Sequence, residues 1–410
     1  MSSTTARRSA SLEDRANQRN AVLAGFLGWT LDAFDFFVLV FVLAPVAAEF
    51  HRPVRDIALT LGASLAMRPV GALIFGLIAD RWGRRLPLML DIIFYSVIEV
   101  LSGLAPNYTV FFILRGLYGI GMGGEWGVGA SLAMESAPVA RRGMLSGLLQ
   151  EGYACGYLIA AVVYGTVFPH FGWRPLFFLG GLPALLVLFV RAKVKEPEAW
   201  KQSRTTDWSA YGAAIRRNWK RFAYLIVLMT MMNLISHGTQ DLYPTFLGVQ
   251  RRFSPHLVAA ITAISMVGAI LGGLAFGLLS DRRGRRLSMI VAVLLAAALI
   301  PLWVYSPGVA LLAAGVFLMQ FMVQGAWGVI PAHLNELSPG ALRGFFPGFA
   351  YQIGVLFASS VEYVEAAMAE HLGYAGALAL LAAIVLLAGA VVIAVGPEAH
   401  GASFVPDGPT

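Results

Sequence analysis

The feature that most constrains this chain is a recurring one: apolar stretches of about 20 residues, separated by short polar connections. A helix needs about 20 residues to cross roughly 30 Å of hydrocarbon. Lipid offers backbone N–H and C=O groups no partners, so they must pair within the segment. Twelve such stretches are predicted as helical spans, at 22–46, 57–79, 86–104, 108–134, 144–168, 172–192, 222–247, 255–279, 287–305, 309–334, 345–367 and 373–396. No β-barrel alternation runs through them. Only 13% of the residues are charged and 58% are hydrophobic, whereas an ordinary soluble domain is about a quarter charged. That balance argues against a soluble enzyme, a nucleic-acid binder and a disordered chain. The single cysteine, Cys155, excludes an intramolecular disulfide framework and a Cys-based metal cluster; no metal or cofactor is expected.

The charge distribution orients the spans. The polar N-terminus carries Arg7, Arg8, Arg15 and Arg19 and does not read as a signal peptide. With that end inside, the inner segments hold 23 of the 30 basic residues, the outer loops hold five, and Arg68 and Arg115 fall within spans. Both termini are therefore expected inside. The net charge of +7 then reflects topology and predicts no acidic partner. The expected organisation is an inner segment 1–20, a six-helix bundle 21–192, an inner linker 193–221, a second six-helix bundle 222–396 and a loose polar tail 397–410.

The halves repeat. Gly76-Leu-Ile-Ala-Asp80-Arg81-Trp-Gly83-Arg84-Arg85 recurs 201 residues later as Gly277-Leu-Leu-Ser-Asp281-Arg282-Arg-Gly284-Arg285-Arg286. The same offset maps Trp126 onto Trp327, Glu135 onto Glu336, Arg142 onto Arg343 and Gly147 onto Gly348. A constant register across these landmarks indicates duplication. Parallel repeats of this kind place a substrate site between them, near the bilayer midplane.

The doubled Gly-x-x-x-Asp-Arg-x-Gly-Arg-Arg loop resembles the signature of the major facilitator superfamily. The resemblance covers essentially the whole chain. It implies an all-α membrane protein of twelve transmembrane helices in two pseudo-symmetric six-helix bundles, working as a rocker-switch secondary transporter. No phosphate-binding Gly-x-x-x-x-Gly-Lys-Ser/Thr loop occurs, and no nucleophile–base–acid set suggests an enzyme. Asp80, Arg81, Arg84, Glu135 and Arg142, with their copies Asp281, Arg282, Arg285, Glu336 and Arg343, are expected to form charge networks at the inner face that hold one state of a two-state gate.

An ionisable group inside a span costs at least a few kcal/mol and asks for a reason. Asp32 and Asp35 in span 1 are three apart, on one helix face. Two nearby carboxylates repel, which favours a proton on one of them, as proton coupling requires; pairing with an arginine is the plainer alternative. Arg68, before Pro69 in span 2, can grip a carboxylate through its fork or pair statically with Asp32 or Asp35. In span 4, Arg115-Gly-Leu-Tyr-Gly-Ile-Gly-Met-Gly-Gly-Glu125 resembles a superfamily motif whose arginine is linked to proton transfer. That implies a coupling role for Arg115 and, with it, Glu125; a glycine packing face with Arg115 paired to Glu99 or Glu151 is the alternative. Glu362 and Glu365, near the outer end of span 11, read as solvated, and Cys155 as packing.

Span 7 contains Asn233-Leu-Ile-Ser236-His237-Gly-Thr239-Gln240-Asp241-Leu-Tyr-Pro244-Thr245. So polar a stretch cannot face lipid and must face a cavity. His237 and Asp241, four apart, can form an ion pair. The stretch closely resembles the span-7 signature of Jen-type lactate/pyruvate permeases of the sialate:proton symporter family, matching at Asn233, Ser236, His237, Thr239, Gln240, Asp241 and Thr245. The resemblance implies a proton-coupled importer of lactate, pyruvate or similar monocarboxylates, acting with protons as its co-substrate. A monomer in the inner membrane of a bacterium is the expected setting. His237 and Asp241 would handle proton and substrate, and Arg68, Asn233, Ser236, Gln240, Tyr351 and Gln352 would bind the substrate. By the 201-residue offset Asp32 maps onto Asn233 and Asp35 onto Ser236, so both signatures face one cavity. A symporter of sialic acid or of an aromatic acid is the nearest rival, and a non-transporting membrane sensor a more distant one.

Overall fold

The computed structural model describes residues 2–204 and 207–404, with side chains from Asp14 onward except that of Pro255. The Arg7 and Arg8 side chains and tail residues 405–410 lie outside that description. Among the described residues every regular element is helical, and ten helical segments are long and apolar enough to cross a bilayer. One of these, Phe346–Val395, is 50 residues long. At 1.5 Å per residue that is about 75 Å, more than two hydrocarbon thicknesses. The helix is interrupted at Ser359 and Ser360 and again at Gly373, whose φ of 71° is left-handed. Its two ends reach the same face: the Gly344 amide meets Asp80 and Glu398 meets the Arg286 amide. The segment thus holds spans 11 and 12. Span 4, Tyr108–Ser136, completes the twelve; its glycines and charges make it less apolar, and it is buried almost continuously from Tyr118 to Met134.

Spans 1 to 4 are Ser2–Glu49, Val54–Trp82, Arg85–Gly103 and Tyr108–Ser136. Span 5 is Arg142–Gln150 continued by Gly152–Phe171, and span 6 is Arg174–Leu179 continued by Ala184–Lys193. Span 7, Trp219–Gln240, is interrupted at Asp241 ahead of Pro244 and continues as a π-helical turn, Phe246–Gln250. Spans 8, 9 and 10 are Pro255–Arg283, Arg285–Val304 and Val309–Leu337.

Two polar segments hold more structure than their composition suggested. Span 1 extends into the N-terminal segment as one helix, docked where Asn20 Nδ2 donates to Lys193 O (2.9 Å) and Asn17 Oδ1 accepts from the Lys195 amide (2.7 Å). The linker contains the helices Glu198–Ser203 and Trp208–Arg217.

Packing repeats across the halves. Span 4 packs on spans 2 and 3 as span 10 packs on spans 8 and 9, and span 1 meets span 5 as span 7 meets span 11. Gly71 lies against the Ile120 carbonyl and Gly272 against that of Phe321, where a Cβ would collide with backbone. Small residues allow such close helix contact. Between the halves, span 2 packs on span 11 and span 5 on span 8. Gly127 and Gly348 meet backbone to backbone, and a Cβ on Gly127 would fall 2.6 Å from the Gly348 Cα.

The hydrogen bonds that join the halves run from Gln352–Gly123 down to the arginine-rich face carrying both termini, hereafter the basic face. Farther from that face, the His237 and Asp241 side chains are 36% and 27% exposed. The halves are thus sealed on the basic face, with the cleft opening away from it.

Candidate functional site

The floor of the cleft is aromatic. The Tyr351 ring lies 4.6 Å from Trp126, 5.8 Å from Trp327 and 6.4 Å from Trp29, centroid to centroid. Trp126 and Trp327 are the duplicated tryptophans, so each half contributes one wall around a span 11 ring. Trp126 Nε1 donates to Gln150 Oε1 (3.2 Å), and Trp29 stacks on Tyr153 (5.6 Å). Gln352 Nε2 reaches the Gly123 carbonyl (3.4 Å), which ties span 11 to span 4.

Arg68 stands beside this floor. It is 5% exposed, and its Cζ lies 5.9 Å from the Tyr351 ring centroid. Among the described residues, its Nε and Nη2 have no hydrogen-bond partner and no carboxylate lies within 4 Å. The static pairing with Asp32 or Asp35 allowed by the sequence is absent. Asp32 and Asp35 are both fully buried. Asp32 Oδ1 accepts a long bond from the Tyr118 hydroxyl (3.4 Å); neither Asp35 oxygen has a hydrogen-bond partner among the described residues.

Arg115 is paired: its Nη1 lies 2.5 Å from Glu99 Oε2, with both side chains fully buried and the guanidinium 3.9 Å from the Tyr118 ring centroid. This is one of the two pairings allowed by the sequence. Glu125 is fully buried, and neither of its carboxylate oxygens has a hydrogen-bond partner among the described residues.

On span 7, His237 Nδ1 and Asp241 Oδ2 are 2.7 Å apart, as the spacing of four predicts. Ser236 Oγ accepts from Gln324 Nε2 (3.2 Å), and Gln320 Nε2 donates to Thr239 O (3.2 Å), so span 10 braces one side of the polar stretch. Asn233 Nδ2 is bonded to Met229 O of its own helix (2.7 Å), and Gln240 turns toward Met266 Sδ (4.0 Å). Span 11 adds a group that sequence reasoning assigned to solvent. Glu362 brings a carboxylate oxygen within 4.8 Å of the His237 and Asp241 ligand atoms. Glu365, one turn on, is only 1% exposed. The simple solvation expected for Glu365 is therefore corrected; the bend at Ser359–Ser360 makes that change of face invisible to helical spacing.

The basic face carries two matching charge networks. Asp80 accepts from the amides of Gly344 (2.6 Å) and Phe345 (3.2 Å) at the start of span 11. Asp281 accepts from those of Gly143 (2.7 Å) and Met144 (2.9 Å) at the start of span 5. A carboxylate at a helix N-terminus satisfies free amides and meets the positive end of the helix dipole. Arg84 bridges Asp80 and Glu135 (both 2.8 Å), and Arg285 bridges Asp281 and Glu336 (both 2.9 Å). The networks cross the interface again through Arg343–Glu135 (3.3 Å) and Arg142–Glu336 (3.0 Å).

Arg81 and Arg282 stay outside both networks. Arg81 lies over the Trp208 ring (4.8 Å), and Arg282 is exposed. Tyr211 of the linker, which sequence reasoning did not single out, donates to Asp80 Oδ2 (3.0 Å). Gly83 and Gly284, with φ of 105° and 91°, make the left-handed turns after Asp80 and Asp281.

Comparison with known proteins agrees with this architecture. Residues 25–254 match the Major Facilitator Superfamily, and residues 222–398 match the family described as Sugar (and other) transporter. A Saccharomyces cerevisiae protein named Carboxylic acid transporter protein homolog is 32% identical over 86% of this chain. The alignment covers 61% of that protein, so the chain spans about three fifths of its length. The Escherichia coli sialic acid transporter NanX is 29% identical over 82% of this chain and 84% of its own length. Among solved structures, the proton:xylose symporter XylE bound to 6-bromo-6-deoxy-D-glucose superposes with a TM-score of 0.78. At 19% identity over 95% of this chain and 98% of that one, the likeness is one of fold. With twelve spans in two matching bundles and a family match across more than half its length, this chain belongs to the major facilitator superfamily of membrane transporters.

Proposed function

We propose that the protein is a proton-coupled symporter of small carboxylic acids, with lactate and pyruvate as its substrates. The observation that carries this reading is Arg68, a guanidinium 5% exposed at the cleft floor with two nitrogens lacking a hydrogen-bond partner among the described residues. A buried cation is costly unless an anion meets it, and the planar fork of arginine fits a carboxylate. Arg68 therefore binds the substrate carboxylate. Asn233, Ser236, His237, Gln240, Tyr351 and Gln352 supply the remaining polar contacts. The resemblance of span 7 to lactate/pyruvate permeases and the likeness to the yeast Carboxylic acid transporter protein homolog support the substrate class.

Asp32, Asp35 and Asp241 are the proton carriers, with Arg115 and Glu125 shaping the field around them. A monoanion that enters with one proton moves no net charge, so the pH gradient drives uptake. The Asp80 and Asp281 networks hold the basic face closed until the loaded site lets the halves rock. By the positive-inside bias the basic face is cytoplasmic. The protein is then a monomeric inner-membrane importer of a bacterium, with bundles 21–192 and 222–396 as the moving bodies.

The test is uptake by purified protein in liposomes. Labelled lactate should accumulate under an inward proton gradient, and a membrane potential alone should drive little. The second reading, a sialic acid symporter, draws on the E. coli relative's name. Accumulation of sialic acid with none of lactate above protein-free liposomes would overturn the monocarboxylate assignment.

A further inference from the structure

The loose tail expected from the sequence is, as far as Phe404, an ordered strap across the basic face. Glu398 anchors it by accepting the Arg286 amide (2.9 Å) and the amides of Ala399 and His400 (both 3.0 Å). Gly401, at φ 79°, turns the chain. The Ala402 carbonyl then accepts from Arg142 Nη1 (2.9 Å) of the first half. Phe404 follows, 8% exposed, with the Arg142 guanidinium 3.7 Å from its ring centroid and that of Arg343 3.9 Å away.

Arg142 and Arg343 are equivalent residues of opposite halves, and both belong to the networks that join the halves. Two guanidinium groups in one buried seam repel. An aromatic ring attracts a cation to its face and also separates the two charges. The strap belongs to the second half through Glu398 and Arg286. When the seam opens, Arg142 moves away with the first half and its contacts with Ala402 and Phe404 are lost.

We propose that residues 398–404 are a built-in brake: Phe404, seated between Arg142 and Arg343, holds the basic face shut and sets how often the transporter opens to that side. The brake acts on the gate and is independent of which acid is carried; it rests only on the alternating-access part of the proposed function. Anything that withdraws the tail speeds opening without touching the substrate site.

The experiment reads opening directly. Ala332 is fully buried, and its amide donates to Ser146 Oγ of the other half (2.9 Å), so it lies on the seam. In a Cys155→Ser background, Ala332→Cys is the sole cysteine, and its modification by a bulky polar maleimide in nanodiscs tracks the population open to the basic face. Phe404→Ala should raise that rate roughly 3- to 30-fold, the loss expected for one desolvated cation–π contact. Phe404→Trp, which keeps an aromatic face, should stay near the parent rate. The proposal is overturned if Phe404→Ala stays within twofold of the parent, or if Phe404→Trp rises as much as Phe404→Ala. Phe404→Leu, which keeps bulk but removes the aromatic face, carries the same expectation should Phe404→Ala fail to fold, with thermal unfolding as the check. Lactate uptake failing while the Phe404 effect persists removes the substrate reading alone; no modification in any variant removes the gate and its brake together.

Discussion

The two halves agree at the basic face and disagree in the middle of the membrane. At the face, Asp80, Arg84, Glu135 and Arg142 have copies in Asp281, Arg285, Glu336 and Arg343, and each of the two aspartates takes the same kind of amide pair from the opposite half. One layer up, the register is intact but the chemistry is not. Arg68 corresponds to Ala269, Asp91 to Ala292, Glu99 to Ile300, Arg115 to Val316, Glu125 to Ala326 and Asp32 to Asn233. Every buried charge named there lies in the first half and corresponds to a neutral residue in the second. A gate that must close two seams alike benefits from symmetry. A site that, as proposed, holds one anion and moves one proton does not. The duplication fixed the mechanics, and divergence of one copy supplied the chemistry.

The largest expected effect tests that asymmetry. Arg68→Ala should lower the initial rate of carboxylate uptake roughly 100-fold or more, the scale of losing two charge-assisted hydrogen bonds. Adding Ala269→Arg to that variant should restore nothing, because Asp32, Asp91, Glu99 and Glu125 have no acidic counterparts around Ala269 in the second half's register. Restored uptake would break the comparison. Next, Asp32→Asn should reduce proton-driven accumulation about tenfold or more while leaving counterflow exchange measurable. Accumulation at the parent level would remove Asp32 from the proton path.

The symmetric layer makes the complementary prediction. Asp80→Asn and Asp281→Asn should each raise modification of the Ala332→Cys reporter by about tenfold, from loss of charge on one amide-capping carboxylate. The two should agree within about threefold, with Asp80→Asn the larger because Tyr211 adds a bond on that side. A wide disagreement would show that one network dominates. The smallest effect belongs to His237→Gln, about threefold on uptake. Its Asp241 partner remains, and the change should appear mainly as an altered dependence of rate on external pH.

Much of this was legible in the sequence, for physical reasons. Apolar runs of membrane length report spans whatever their packing, and a repeat at a fixed offset reports two bundles. The His237–Asp241 pair was readable because it lies within one helix turn. Partners on different helices were harder to assign. Spacing left Arg115 a choice between Glu99 and Glu151, and only packing of span 4 on span 3 decides it. Hydropathy could not show that Glu365 turns inward past the Ser359–Ser360 bend, nor that the Trp208–Arg217 helix brings Tyr211 to Asp80. Phe404 was overlooked because its neighbours are polar and Gly- and Pro-rich, a composition that usually signals a free end.

The aromatic floor has an electrical consequence. From Tyr351 to the Asp80 contact at Gly344, the sealed septum is only roughly 10 Å of chain at helical rise. With the basic face cytoplasmic, as proposed, water filling the cleft would carry the outside potential down to that floor. Most of the membrane voltage therefore falls across the septum, where it acts on each unit charge with about 2.3 kcal/mol per 100 mV. A loaded site that is neutral overall crosses this thin field unaffected, whereas an unloaded site left with unbalanced charge does not. The voltage should consequently be felt on the return of the empty carrier, even where uptake itself is electroneutral.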